Sequence, residues 1–450
     1  MLKKVIFMSI STGARLLSGV ILFIALARIL SIEDFGRLTY CFSLASIMTL
    51  LVDYGFTNKL LIDIGRSHHK VKYIMGKVLM TKLFLFTILL LIFFSLNRFG
   101  FIDPLNKLII TPLIIATLLV SFGDFMNVAF RGIGHYHEET KIVTIASVIH
   151  FILIFSVAYT TEDSVMIATS FIVSRLFYLL LCIKRYNKII GGFTFPKRKK
   201  IKILQKNIVY NFTYAMDSWL VNSMAHLDKI IINYFLGVSE VGIYQAGMNV
   251  VRGLEQLGPV LANVYLPVLA KYNSTSFEFS VIARKLHIQL LLTGFSFFCI
   301  IFLGKSTIPS IIYGVKFSGL SDIFPYFGLF LFLRYVAISQ GVLLTASYLQ
   351  NMRVLGLFIS ILIILILPPY LLNLYGITGM IFTQIIIVTI LSLYYLYVLK
   401  NKEVPCGISY NSIVIILLVI LLLLVNSDIY NTDFIRNGYE NSINRWMGIW

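Results

Sequence analysis

The chain has 450 residues, 58% of them hydrophobic and 13% charged. A soluble domain carries roughly 25% charged residues, so composition excludes a soluble enzyme. The net charge of +18 comes from 38 Lys and Arg against 20 Asp and Glu. In a chain this apolar that charge belongs to loops, where it orients spans, and no nucleic-acid partner is expected.

Lys3 and Lys4 open the chain ahead of an apolar stretch, but Arg15 interrupts it and no small-residue cleavage site follows. A cleavable signal is therefore not expected. Apolar runs predict helical spans near 9–30, 38–57, 78–96, 108–127, 142–160 and 165–183. A basic segment follows at 184–206, centred on Pro196-Lys-Arg-Lys-Lys200. Further spans are predicted near 207–236, 242–270, 287–304, 323–347, 354–374 and 377–399. A thirteenth apolar run covers 411–426, ahead of a polar tail. The runs are continuously apolar, which excludes a transmembrane β-barrel with its short alternating segments. The expected fold is an all-α integral membrane protein of twelve or thirteen helices. Its expected parts are a six-helix lobe (1–183), a basic cytoplasmic linker (184–206), a second six-helix lobe (207–400) and an extra segment with a tail (401–450).

With the N-terminus in the cytoplasm, the inner segments hold 24 Lys and Arg and the outer loops through the twelfth span hold 5. That asymmetry fits the positive-inside rule. Cys41, Cys182, Cys299 and Cys406 are scattered, without disulfide, redox or metal-ligand spacing, so no metal or cofactor is expected.

An internal repeat supports the two lobes. Ile29-Leu-Ser-Ile-Glu-Asp-Phe-Gly-Arg37 joins the first two helices, and Phe235-Leu-Gly-Val-Ser-Glu-Val-Gly-Ile243 joins the seventh and eighth. Leu30 aligns with Leu236, Asp34 with Glu240 and Gly36 with Gly242. Six helices separate the two segments. Both halves therefore enter the membrane in the same direction, as in a parallel repeat.

Ionisable residues at membrane depth cost roughly 2.5–3.5 kcal/mol each on insertion scales, so they face a partner or a wet cavity. Arg28 and Lys82 lie near predicted helix ends, where long side chains reach the interface. On the eighth helix Gln245, Asn249, Arg252, Gln256, Pro259 and Asn263 share one stripe. On the seventh, Tyr210, Asn211, Tyr214, Asp217, Ser218, Asn222, Asp228 and Lys229 share one face. Such faces either bind neighbouring helices together or line water. The second reading gives a cavity with a positive floor, suited to an anionic substrate. The candidate substrate-binding residues are Arg15, Arg175, Lys229, Arg252 and Arg334 with Asn222, Asn249 and Gln256. Arg suits a diphosphate because its planar fork makes paired hydrogen bonds. The candidate ion-coupling acids are Asp53, Asp124, Asp217, Asp228 and Glu255. Asp53 and Asp124 also fit a second role, pairing with loop lysines. No Gly-Lys-Ser/Thr phosphate loop, G-x-S-x-G elbow or H-E-x-x-H motif occurs.

Ser9-Ile-Ser-Thr-Gly13, Ala27-Arg-Ile-Leu-Ser-Ile-Glu-Asp-Phe-Gly36 and Asp53-Tyr-Gly-Phe56 resemble the polysaccharide-transporter branch of the multidrug/oligosaccharidyl-lipid/polysaccharide flippase superfamily. Leu227-Asp-Lys-Ile-Ile-Ile-Asn-Tyr-Phe-Leu-Gly-Val-Ser-Glu-Val-Gly-Ile-Tyr244 is the most specific match, and roughly residues 5–400 are covered. Within that branch the chain looks most like the Wzx-type flippases for O-antigen and capsule units. The resemblance implies two six-helix lobes in a V around a central cavity, in a bacterial inner membrane. It implies a substrate of oligosaccharide on undecaprenyl diphosphate, moved from the inner to the outer leaflet by alternating access. It places Arg15 and Arg252 near the diphosphate. Membrane lipids, a polysaccharide polymerase and a chain-length regulator are the partners it implies. A peptidoglycan-precursor or teichoic-acid flippase, a multidrug exporter of the same superfamily, and a membrane polymerase remain as alternatives.

Overall fold

The computed structural model describes residues 2–100, 103–196, 200–269 and 271–405. The run at 411–426 and Cys406 lie outside the described residues. Every regular element among these is helical, as a lipid-exposed backbone requires. Among the described residues, nine helices are long and apolar enough to cross a membrane, or ten if one bent pair is a single span. The chain divides into two compact units, residues 1–230 and 231–450.

Unit 1 contains α1 (Leu2–Ile29), α2 (Ile32–Asp53), α3 (Phe56–Arg66), α4 (Val71–Arg98), α5 (Pro104–Gly132), α6 (Tyr136–Thr161) and α7 (Ser164–Ile189). It also takes in most of α8 (Lys200–Leu236). Within it α5 packs on α7 and α2, and α1 packs on α6. Short α3 is an amphipathic helix inside what the sequence reads as a loop. Eleven residues are too few to span, so span-seeking overlooks it.

The Asp53-Tyr-Gly-Phe56 motif turns α2 into α3. Tyr54 and Gly55 both take left-handed backbone, at φ 42° and 62°. A Cβ on Gly55 would collide with the Tyr214 carbonyl, so this position needs glycine for space as well as for φ. Trp219 of α8 clasps the turn. Its Nε1 donates to the Leu50 carbonyl at 2.8 Å, and its ring meets Tyr54 edge-on at 5.7 Å. The turn therefore fixes where Asp53 sits.

Unit 2 contains α9 (Val238–Glu255), α10 (Leu257–Leu269), α11 (Phe277–Leu303), α12 (Thr307–Tyr313), α13 (Leu320–Ala346), α14 (Gln350–Ile366), α15 (Pro368–Tyr375) and α16 (Ile377–Asn401). Buried α13 is its axis, packed by α9, α10, α11 and α16. α14 and α15 meet at 48°. Pro368 and Pro369 explain the bend, since neither offers an N–H to continue the helix.

The predicted eighth helix is divided. α9 ends at Glu255 and α10 begins at Leu257. Pro259 has no N–H for the Glu255 carbonyl, and its ring disfavours helical backbone at Gly258. Gln256 between α9 and α10 keeps right-handed helical backbone, at φ −61° and ψ −22°, so the interruption is one residue long.

Candidate functional site

The charged residues of unit 1 converge from six helices. On α5, Ser121, Asp124 and Asn127 recur every third residue and so share a face. Arg15 of α1 grips Asp124 with two parallel hydrogen bonds of 2.8 Å each, the bidentate geometry that only Arg provides. Tyr178 of α7 closes the group. Its hydroxyl donates to Asp124, accepts from Asn127 Nδ2 at 2.7 Å and lies 3.3 Å from Arg15 Nη2. Gly123 makes room for this ring, because a Cβ there would press on Tyr178 Cε1.

A second group lies alongside. Lys82 Nζ of α4 donates to Asp53 at 2.7 Å and to Ser121 Oγ, and Ser121 donates to Asp53. The Lys82 side chain is only 2% exposed, whereas Asp53 is 41% exposed. The ammonium sits behind the carboxylate. This corrects the expectation that Lys82 reaches the interface: α4 begins at Val71, which sets Lys82 three turns inside the helix. Asp53 and Asp124 likewise pair with spanning-helix cations and not with loop lysines. Asp53 ends α2, where the helix dipole disfavours an anion, and Lys82 offsets that.

A third group involves Arg175 of α7, whose Nη2 donates to His150 Nε2 at 2.8 Å. Ser174 Oγ donates to the Phe171 carbonyl at 2.9 Å and receives His150 Nδ1–H at 2.8 Å. His150 is thereby held as the neutral Nδ1–H tautomer.

A cavity of about 350 Å³ in unit 1 meets the first two groups. Asp53, Lys82, Ser121 and Asp124 line it with Phe56, Leu60, Ser218 and Asn222. Its two acids balance Arg15 and Lys82, so the positive floor expected from sequence is locally neutralised. Exposed Asn222 donates to the Ser218 carbonyl at 2.7 Å. Asp228 and Lys229 are buried and paired at 2.6 Å. The side chain of Asp217 lies outside the described part.

Arg252, Gln256, Asn249, Arg334 and Glu255 belong to unit 2, apart from this cavity. Arg334 Nε and Nη2 hold Glu255 Oε1 at 2.9 and 2.6 Å. Gln245 and Asn249 are buried and hydrogen-bonded to each other. Arg252 and Gln256 are half-buried beside the α9–α10 break. Ser121, Asn127 and Tyr178 escaped sequence reading, and Lys82 was read only as a side chain reaching the interface. The three-residue spacing on α5 was the available signal; the partners of that face are remote in sequence and left none.

The model for "Polysaccharide biosynthesis protein" matches residues 1–273, more than half of the chain. No curated protein matches. Among solved structures, lipid II flippase MurJ in an inward closed conformation is similar at 16% identity and TM-score 0.68, covering 96% of this chain and 100% of that one. An inward-facing multidrug resistance MATE family transporter of the MOP superfamily is similar at 13% identity and TM-score 0.66, covering 88% and 98%. The MATE multidrug transporter DinF-BH is similar at 15% identity and TM-score 0.59, covering 90% and 95%. The chain belongs to the polysaccharide biosynthesis protein family and has the fold that these MOP-superfamily structures share.

Proposed function

We propose that the protein flips undecaprenyl-diphosphate-linked oligosaccharide units, of O-antigen or capsule type, from the inner to the outer leaflet of a bacterial cytoplasmic membrane. Twelve spans in two six-helix lobes, with a cytoplasmic N-terminus, are part of this reading. So is onward transfer to a polysaccharide polymerase and chain-length regulator. The family match supports polysaccharide export, and the shared fold with a lipid II flippase supports a lipid-linked cargo.

The observation that carries the reading is Arg15. It is held at membrane depth by Asp124 and Tyr178, yet its side chain is 43% exposed. A guanidinium at that depth is costly unless it has work to do. A diphosphate presents the same paired oxygens as the Asp124 carboxylate, so the two compete for one fork. Protonation of Asp124 weakens the pair and frees Arg15 for the substrate, which makes Asp124 the leading acid for coupling to a proton gradient. Asp53, hydrogen-bonded to Lys82, is the second candidate. Arg252 is the candidate cation of unit 2.

Arg15→Ala is expected to abolish display of surface polysaccharide while the protein remains in the membrane, and Arg15→Lys to restore only part. In reconstituted vesicles, Asp124→Asn should remove the response to an imposed pH gradient. Full display by Arg15→Ala defeats the substrate role, and an unchanged gradient response in Asp124→Asn defeats the coupling role.

A further inference from the structure

A second cavity, of about 400 Å³, opens on the other side of α3. Phe56 and Leu60 line both it and the charged cavity, so one turn of α3 is the wall between them. On the far side the lining changes character. Lys59, Arg66, Lys70, Lys77 and Lys206 contribute five cations, and Asp63 is the one acid among the lining residues. Asp63 answers Lys59 at 3.4 Å, which leaves four cations without an acid in the lining. Lys77 feels the attraction of Asp63 and, against it, the repulsion of Lys206 and Lys59. Like charges brought this close repel one another, and the arrangement is stabilised when an anion joins them.

The position is as informative as the charge. The stretch following α7 crosses α4 here, with Thr194 N–H donating to the Lys72 carbonyl at 3.1 Å. The cavity therefore shares one end of unit 1 with the basic segment 184–206, which carries nine Lys and Arg. Exposed Tyr73 and Tyr210 stand at its rim, amphipathic rings of the kind that sit at headgroup level.

We propose that this basic pocket is a loading site for the diphosphate group of the lipid-linked substrate, from which the group passes Phe56 and Leu60 into the charged cavity. The proposal rests on the function proposed above. Charge favours a diphosphate over a phospholipid phosphodiester. Four unanswered cations favour the two negative charges of a diphosphate bridging lipid and sugar, whereas a phosphodiester carries one. Arg66 supplies the single paired fork and the lysines supply point charges. Both α3 side chains of the wall are buried now, at 3% and 1% exposure, so passage requires α3 to shift.

The test uses the full chain in phosphatidylcholine nanodiscs, with farnesyl diphosphate as the probe and thermophoresis as the readout. Lys59→Gln/Lys77→Gln/Lys206→Gln is expected to weaken binding at least tenfold. The corresponding triple Lys→Arg variant should keep it, which separates charge from folding. Lys107→Gln, on α5 and outside the lining of both cavities, should retain binding. Adding phosphatidylglycerol at equal surface density should displace the probe only weakly. Equal binding by wild type and the Gln triple overturns the loading site and leaves the flippase reading standing. Equal competition by phosphatidylglycerol also overturns it, in favour of a general anionic-lipid site. If the wild type fails to bind the probe, the diphosphate substrate itself is refuted together with the pocket.

Discussion

Units 1 and 2 each start a helix at the aligned position, by different turns, and then handle charge differently. In unit 1, Ser31 caps α2. Its Oγ accepts the Asp34 N–H at 3.0 Å and donates to the Asp34 carboxylate at 2.7 Å. In unit 2 the aligned position is Gly237, which makes the reversal with φ 94° and no side-chain cap. One turn relies on hydrogen bonding and the other on the freedom of glycine. The charges diverge further. Among the described residues, unit 1 has four ion pairs between helices: Arg15–Asp124, Lys82–Asp53, Arg131–Glu139 and Arg185–Glu138. Unit 2 has one, Arg334–Glu255. A helix start at the aligned position is shared although the backbone differs, with Ser31 at φ −63° and Gly237 at φ 94°. Charge is free to differ, because each pair needs only a partner on a neighbouring helix.

The sharpest way to break this comparison is to remove one cation from each unit. Losing one partner of a buried pair costs roughly 3–5 kcal/mol. Lys82 is buried, but Asp53 keeps access to the cavity. Lys82→Met is therefore expected near the low end, about 3 kcal/mol. The double variant Lys82→Met/Asp53→Asn should regain more than half of that loss. Arg334 is 35% exposed, so Arg334→Met in unit 2 is expected to cost about 1–2 kcal/mol, discounted for screening. Thermal unfolding of purified protein in nanodiscs ranks all three. Should Arg334→Met prove the more damaging, unit 1 is not where charge pairing matters most.

Backbone substitutions sharpen the comparison at the next level. Gly55→Ala meets both a φ of 62° and the Tyr214 backbone. The left-handed conformation alone costs roughly 1–2 kcal/mol, and a backbone collision adds to it, for about 2–3 kcal/mol in all. Gly237→Ala has the φ penalty but open space around the new methyl, so about 1–2 kcal/mol is expected. Because the Gly55 turn sets Asp53, Gly55→Ala should also lower export more than its melting shift explains. An export loss no greater than that of Gly237→Ala would detach the turn from the site.

What the sequence made legible follows the same division between backbone and pairing. The first six spans, the aligned turns and the all-helical class came from apolar runs and nine residues of similarity, which are local signals. Arg15 and Asp124 were each visible as costly intramembrane charges. Their pairing was not, because 109 residues separate them and only the packing of α5 against α7, and of α1 against α6, brings them together. Lys82 misled for a related reason. Taking its helix to begin at residue 78 puts it near an end, whereas the amphipathic α3 and the turn at His68–Lys70 move the true start back to Val71. Pro259, inside the predicted eighth helix, marked in advance where α9 gives way to α10.

The smallest expected effect isolates the cap itself. Ser31 satisfies one of the N–H groups at the start of α2 that lack helical partners. Ser31→Ala removes that acceptor and should cost about 1 kcal/mol, whereas Ser31→Gly should cost only a few tenths. Glycine is tolerated because it leaves the backbone amides accessible and can take whatever dihedrals the turn needs. Its aligned counterpart in unit 2 already is glycine. If Ser31→Gly melts within a degree of wild type while Ser31→Ala does not, the two turns are interchangeable solutions to one geometric problem. If Ser31→Gly is as damaging as Ser31→Ala, the Ser31–Asp34 hydrogen bonds do more than cap a helix. The turn in unit 1 would then have to be counted with its charged groups, and the need to start a helix would no longer be enough to explain it.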